Sequence, residues 1–124
     1  MFNRILILLV FLVTFSLHVT SQATYRMKDT TVTDCDGILT DSESLFVIGG
    51  FGYSSNEDYE FSICPGTGAT IYFLFSFLEL EQGNDTIFFY DGPSTASPLI
   101  VAYTGTPAPV PPMITATSGC LTVH

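Results

Sequence analysis

The sequence predicts an all-β fold, an antiparallel β-sandwich built from many short strands. Three observations lead to this prediction. Short runs rich in β-branched and aromatic residues recur between turn segments that contain Gly and Pro. No long window after the N-terminal segment keeps the apolar spacing of a helix. The chain has 124 residues, which is enough for one domain with a single core.

The N-terminal segment is typical of a signal peptide. Arg4 gives a positive start, residues 5–17 form an apolar run, and Val19, Thr20 and Ser21 provide the small residues before a cleavage site. The alternative is a membrane anchor, but this run is too short to cross a hydrocarbon core of roughly 30 Å. We therefore expect cleavage after Ser21 and a secreted or cell-surface protein with no membrane span.

Charge restricts the class of partner. Signal cleavage removes Arg4 and keeps all 12 acidic residues, so the formal net charge changes from −9 to −10. Only Arg26 and Lys28 remain to neutralise phosphates, which makes nucleic acid and anionic membranes poor partners. The charge favours cations and basic protein patches instead. It does not indicate an oligomeric state.

Three cysteines, Cys35, Cys64 and Cys120, follow the signal and would enter an oxidising compartment, where disulfides are the default. Their spacing is not that of a zinc or redox motif, and His124 is the only histidine left after cleavage. An odd cysteine needs a partner in another chain or beyond residue 124. Because residues 121–124 also resemble a strand that stops without a turn, we expect a domain truncated before its last strands.

The first elements are short. A polar lead at residues 22–32 precedes an apolar run at 45–48, whose following glycines at 49–52 suit a turn. Residues 59–64 then alternate between apolar and polar side chains, as a half-buried strand does, and Pro and Gly at 65–68 end this strand.

The strongest strand signal lies at residues 70–81. Apolar side chains occupy both faces, which predicts a central strand that is covered on both sides, with its aromatic residues in the core. The turn at residues 82–84 leads to a second strand at 86–90, so we expect a β-hairpin. One face carries Ile71, Phe73, Phe75 and Phe77, and the other carries Tyr72, Leu74, Ser76 and Leu78.

Two more strands are predicted at residues 99–103 and 113–117. Prolines between them exclude a regular central strand there. Many short strands at this spacing, without a helical partner, indicate two packed antiparallel sheets.

The order of several short motifs resembles one family of extracellular domains. Tyr53-Ser54-Ser55-Asn56 precedes the aromatic-rich strand into Cys64, and residues 77–81 look like an acidic turn after a long strand. Phe89-Tyr90-Asp91-Gly92-Pro93-Ser94 looks like the next characteristic segment of the family. Together these motifs resemble a CUB domain over residues 33–124. The match continues through residues 98–99, 103–105 and 118–123.

The resemblance implies a CUB-like jelly roll with a disulfide between Cys35 and Cys64. It leaves Cys120 unpaired in this fragment, with a partner at the end of the domain, as in CUB-like modules of bacterial multidomain surface proteins. The chain departs from the family at its second disulfide, because the cysteines expected near Asn84 and Thr104 are missing.

One acidic group has the chemistry of a metal site. Its members are Glu79, Glu81, Asp85 and Asp91, and we expect the predicted hairpin turn to bring the first three together. Calcium prefers several hard oxygen ligands. In calcium-binding CUB domains, a glutamate after the long strand and an aspartate before the next strand bind Ca²⁺, and Glu81 and Asp85 match these positions. The alternative is a solvated acidic turn.

The same turn contains a candidate modification site. Asn84-Asp85-Thr86 matches the N-glycosylation sequon, which is used in a eukaryotic secretory pathway.

No catalytic residues are predicted. The only histidine after the signal is His124, and carboxylates on an exposed turn lack the apolar surroundings that raise a pKa. We expect a non-catalytic binding or adhesion module that recognises an extracellular protein or glycan through its loops. The alternative is an accessory domain of a secreted hydrolase or protease with a catalytic domain beyond residue 124.

Overall fold

The fold is all-β, as the sequence predicts. The computed structural model describes residues 21–41, 56–107 and 109–124, and all regular structure in these residues is strand. The strands are short because turn residues interrupt the apolar runs every few positions. They are β1 (Thr24–Arg26), β2 (Thr30–Val32), β3 (Ile38–Thr40), β4 (Phe61–Ile63), β5 (Ile71–Phe73), β6 (Thr86–Tyr90), β7 (Leu99–Thr104), β8 (Ile114–Ala116) and β9 (Leu121–Val123).

The largest sheet has five strands in the order β2-β4-β9-β6-β7, and β1-β3 and β5-β8 form two smaller pairs. In the large sheet β9 runs antiparallel to both of its neighbours. Val123 is the register partner of Phe61 on β4 and of Phe89 on β6. The last strand in the chain therefore lies at the centre of the sheet.

Most strand pairs are antiparallel, as predicted for the sandwich, but two pairs are parallel. β1 runs parallel to β3, and β2 runs parallel to β4. A parallel pair needs a long crossover connection, and the chain between β2 and β4 is long enough to include β3. Residues 22–32, which are predicted to be a polar lead, contain β1 and β2. β1 pairs with β3, and β2 pairs with β4 at the edge of the large sheet.

The core lies between the five-stranded sheet and the β5-β8 pair, which makes the fold a sandwich. Its buried cluster consists of Phe89, Ile114, Ala116, Leu121 and Val123, which come from β6, β8 and β9. Aromatic rings also meet across the two layers. The centroid of the Phe89 ring is 5.1 Å from that of Phe73 and 5.5 Å from that of Phe75.

The long central strand predicted at residues 70–81 is wrong in two respects. β5 covers only Ile71–Phe73, and its partner is β8 rather than β6, so the predicted hairpin does not form. Ile71, Phe73 and Phe75 are partly buried against the core, as predicted. Phe77, predicted on the same face, is 62% exposed, and Tyr72 and Leu74 are 59% and 73% exposed. The cause is the two-layer arrangement, because β5 and β6 face each other across the core instead of pairing edge to edge.

A loop after β6 folds over the outer face of the large sheet and is fixed by two buried hydroxyls. The Ser62 and Thr122 hydroxyl oxygens are 2.8 Å apart, and the Thr122 hydroxyl also donates to the carbonyl oxygen of Gly92 at 2.7 Å. The Ser62 hydroxyl reaches the carbonyl oxygen of Pro93 at 3.3 Å. These bonds satisfy polar groups that would otherwise be costly to bury.

The disulfide joins Cys64 to Cys120, so both the predicted bond between Cys35 and Cys64 and the unpaired state of Cys120 are wrong. Strand register is the reason. Ile63 is the partner of Leu121 in the antiparallel β4–β9 ladder, which places the two cysteines next to each other with Cα atoms 4.2 Å apart. Cys35 lies in the loop between β2 and β3 as an exposed free thiol.

Several predictions fall on residues that the structure does not describe. These include most of the signal peptide at 1–21, the apolar run at 45–48, the glycine turn at 49–52 and most of the motif at 53–56. Within the described part of the chain, no helix is long and apolar enough to cross a membrane.

The disulfide assignment predicts a difference between cysteine variants. Cys64→Ser opens a covalent loop with a sequence separation of 56 residues, which should lower the free energy of unfolding by about 2 to 5 kcal/mol. Cys35→Ser removes an exposed thiol and is the matched control, with an unfolding midpoint in urea close to that of the wild type. Equal losses in the two variants would support the Cys35–Cys64 bond instead.

A second prediction concerns the tight turn before β9. Gly119 has a φ of 95°, and a Cβ atom there would lie 2.7 Å from the carbonyl oxygen of Gly66. Gly83 has a similar φ of 85°, but a Cβ atom there would meet nothing within 4 Å. Each Gly→Ala change should carry a left-handed backbone penalty of about 1 to 2 kcal/mol. Thermal unfolding should show a clearly larger loss for Gly119→Ala, and equal losses would contradict the close approach.

Candidate functional site

Residues 81–85, here called the carboxylate turn, bring the two predicted metal ligands together. The carbonyl oxygen of Glu81 accepts the backbone N–H groups of Asn84 at 3.2 Å and Asp85 at 3.0 Å. In return, the Glu81 N–H donates to Oδ2 of Asp85 at 3.3 Å. The side-chain amide of Asn84 donates to Oε1 of Glu81 at 2.7 Å. These bonds close the turn and keep both carboxylates on it.

The carboxylate turn is also attached to the end of β7. The Thr104 hydroxyl donates to the carbonyl oxygen of Asp85 at 2.6 Å and accepts the N–H of Gly83 at 3.4 Å. Thr104 is the register partner of Thr86, the first residue of β6. The turn is therefore positioned by two paired strands of the large sheet rather than by its own bonds alone.

The predicted acidic group does not form a single cluster. β6 begins directly after Asp85 and ends directly before Asp91, so the two carboxylates lie at opposite ends of the strand, about 20 Å apart along the chain. Glu79 is exposed and precedes the carboxylate turn. The turn thus gathers Glu81 and Asp85, and Asp91 belongs to the other end of the sandwich.

Asp91 has a structural role at that other end. Its Oδ1 accepts the backbone N–H groups of Thr117 at 2.9 Å and Ser118 at 2.8 Å, and its Oδ2 accepts the Thr117 hydroxyl at 3.1 Å. Hydrogen bonds from Ser118, first of all from its backbone N–H, lower the pKa of Asp91, and those from Thr117 act in the same direction. The carboxylate connects the end of β6 to the turn between β8 and β9.

The geometry of the carboxylate turn fits a cation only in part. Among residues 21–41, 56–107 and 109–124, no three His, Cys, Asp or Glu side chains are grouped so that they could bind a metal ion. Glu81 and Asp85 supply hard carboxylate oxygens, which suit Ca²⁺, but Ca²⁺ takes about six to eight oxygen ligands. Two carboxylates would therefore leave most of the coordination of such an ion to water or to other oxygens.

His124 follows β9 and lies at the same end of the sandwich as the carboxylate turn. Its Nε2 is 2.7 Å from Oδ1 of Asp58, and its backbone exchanges two hydrogen bonds with Phe88, at 2.7 and 2.9 Å. The His124 ring also lies against the ring of Phe88, with 6.1 Å between centroids. The contacts of His124 extend the β6–β9 ladder and connect it to the segment before β4.

An exposed apolar surface on the outer face of the β5-β8 pair was not predicted. Tyr72 and Leu74 point away from the core, and Met113, which is 50% exposed, directly precedes Ile114, the register partner of Phe73. The sequence signal for this surface is the apolar character of both faces of residues 70–81, which does not distinguish a buried second face from an exposed one. Exposed apolar patches of this kind often mark contact surfaces.

The fold, the core and the disulfide define the class of protein as a disulfide-bonded, all-β sandwich domain. No family model matches the chain, and comparisons with curated proteins and with solved structures give no match either. The resemblance of residues 33–124 to CUB domains stays a prediction from their motifs.

The role of Asp91 predicts a pH dependence of stability. Because its pKa is lowered by folding, the charged carboxylate stabilises the fold above the unfolded-state pKa of roughly 4, and this contribution is lost as the pH falls through the lower folded-state pKa. Urea unfolding should show that Asp91→Asn destabilises the protein most near pH 7. The difference from wild type should shrink as the pH is lowered below roughly 4.

The control for this experiment is Asp36→Asn, which removes an exposed carboxylate from the loop before β3 and leaves the Asp91 bonds in place. Asp36→Asn should follow the wild-type pH profile. An Asp91→Asn deficit that is unchanged between neutral and acidic pH would contradict the role of the ionised carboxylate.

Proposed function

We propose that the protein is an extracellular, non-catalytic binding or adhesion module. It recognises a protein or glycan through the loops at one end of the sandwich, and calcium contributes to this recognition. The observation that carries the proposal is the carboxylate turn, in which Glu81 and Asp85 are fixed together and attached to β7 through Thr104. A positioned pair of carboxylates on a rigid scaffold suits the binding of a cation or a basic group.

The setting of the domain supports an extracellular role. The Cys64–Cys120 disulfide is typical of proteins that fold in an oxidising compartment. The sequence begins with a segment that has the features of a signal peptide and, after its removal, has a net charge of −10. A surface of this charge attracts cations and basic patches on proteins.

A non-catalytic role is supported by the way the structure uses its ionisable groups. Asp91 accepts backbone N–H groups from the turn before β9, and His124 contacts Asp58 while its backbone extends a strand ladder. Both residues thus have structural partners. Glu81 is exposed and Asp85 is only partly buried, so water has access to the turn, whereas active sites commonly exclude it.

Calcium at the carboxylate turn would be bound weakly by this chain alone. Glu81 and Asp85 would hold the ion, and a partner carboxylate, carbonyl or hydroxyl oxygen could complete the coordination. Extracellular calcium modules commonly have dissociation constants of about 10⁻⁴ to 10⁻³ M, and extracellular calcium concentrations suit such sites. The ion would supply positive charge at the surface of an acidic domain and would offer free coordination positions to hydroxyl or carboxylate oxygens of a ligand.

The calcium proposal predicts a ligand-dependent stability. Calcium at about ten times its dissociation constant should raise the free energy of unfolding by about 1.4 kcal/mol, because only the folded turn holds both carboxylates. Thermal unfolding with calcium and with chelator should show this difference for the wild type. The double variant Glu81→Gln, Asp85→Asn should lose the difference, since the amides keep the size of the carboxylates but lack their charge.

Glu79→Gln is the matched control, because Glu79 is an exposed carboxylate two residues before the turn. This variant should keep the calcium effect. Magnesium should stabilise less than calcium, because it demands a small octahedral site and gives up its water reluctantly. An equal calcium effect in the wild type and in the double variant would remove the ion from the proposal.

Binding itself is tested by presenting the mature protein to a glycan array and to purified secreted proteins, with calcium and with chelator. A ligand of the proposed site should bind the double variant at least tenfold more weakly and the Glu79→Gln variant as well as the wild type. Turnover of peptide or glycoside substrates by the purified protein would contradict the non-catalytic role.

A further inference from the structure

The carboxylate turn also presents a modification site. The chain contains three asparagines, and only Asn84 is followed by the sequon pattern, through Asp85 and Thr86. Asn84 is exposed at the end of the carboxylate turn, and Thr86 is exposed as the first residue of β6. The acceptor amide and the sequon hydroxyl therefore both lie on the surface of the folded domain.

The local geometry leaves room for a substituent on the Asn84 side chain. Its Nδ2 has one hydrogen-bond partner, Oε1 of Glu81 at 2.7 Å, and both side chains are exposed. A secondary amide keeps one N–H, so a sugar on Nδ2 is compatible with this hydrogen bond. The backbone bonds that close the turn involve Glu81, Asn84 and Asp85 main-chain groups and are independent of the side chain that would be modified.

We propose that Asn84 is an N-glycosylation site, used when the chain passes through a eukaryotic secretory pathway. In this reaction Nδ2 attacks the anomeric carbon of an oligosaccharide carried on a polyprenyl diphosphate. A C–N bond forms, the bond between the anomeric carbon and the diphosphate oxygen breaks, Nδ2 loses one proton, and the lipid diphosphate leaves. The exchange involves no change in oxidation state and requires no reactant other than the lipid-linked sugar.

A glycan on Asn84 would change which partners can approach the carboxylate turn. Asn84 lies between Glu81 and Asp85 in the sequence, so a sugar on Asn84 projects from the surface that carries both carboxylates. The glycan would shield one side of this turn and restrict the approach of a large protein. The inference concerns modification alone and does not depend on calcium or on a binding partner.

The test is cell-free translation of the full chain in the presence of microsomes, followed by treatment with peptide N-glycosidase. We expect a slower-migrating product that the glycosidase converts to the unmodified size, leaving aspartate at position 84. Asn84→Gln and Thr86→Ala should abolish the slower product. Thr86→Ser retains the sequon hydroxyl and should keep the modification.

Signal cleavage is measured on the same products, which separates failure of export from failure of glycosylation. If residues 1–21 do not direct translocation, the chain is retested behind a signal peptide of proven function. A translocated wild-type chain without the modification would overturn the proposal. A modified Asn84→Gln variant would overturn it as well, because the sugar would then lie elsewhere.

Discussion

β9 connects the two halves of the five-stranded sheet, because β4 and β6 each pair with β9 rather than with each other. All three of its residues are buried, with Leu121 and Val123 in the core and Thr122 under the loop that follows β6. The disulfide connects the same two strands, since Cys120 directly precedes β9 and is bonded to Cys64, which directly follows β4. A strand of three residues has few ladder hydrogen bonds, so its position depends on this combination of buried side chains, a buried hydroxyl pair and a covalent bond.

The carboxylates discussed above lie at the two opposite ends of the sandwich, near the start and the end of β9. At the end where β9 begins, Asp91 accepts N–H groups from Thr117 and Ser118 and fixes the turn that leads into the strand. At the end where β9 finishes, β6 begins directly after Asp85 and the carboxylate turn. The carboxylates therefore have different roles, because two backbone N–H groups and a hydroxyl converge on Asp91, whereas Glu81 is exposed and Asp85 is only partly buried on a surface turn.

The sequence predicted the positions of strands better than it predicted which strands pair with each other. The strands at 86–90 and 99–103 agree closely with β6 and β7, because alternation and turn residues are local properties. The hairpin between β5 and β6 was wrong because nothing local distinguishes two strands that pair from two that face each other across a core. The Cys64–Cys120 bond likewise depends on the β4–β9 register, which joins residues far apart in sequence. In the site, the proximity of Glu81 and Asp85 follows from the predicted turn at residues 82–84, which forms although the hairpin does not. The structural role of Asp91 depends instead on contacts 26 and 27 residues away.

The proposed calcium ion and the proposed glycan would both involve side chains of the carboxylate turn, at atoms that are joined by one hydrogen bond. A cation between Glu81 and Asp85 would compete with the Asn84 amide for Oε1 of Glu81, since that oxygen already accepts a hydrogen bond at 2.7 Å. A glycan on Nδ2 leaves one N–H for this bond but adds bulk beside it. Because the backbone of the turn is fixed independently by Glu81 O and by Thr104, neither event needs the turn to refold. We therefore expect the ion and the glycan to act together. The ion would determine which chemical groups are attracted to the turn, and the glycan would limit the size of the partners that can approach it.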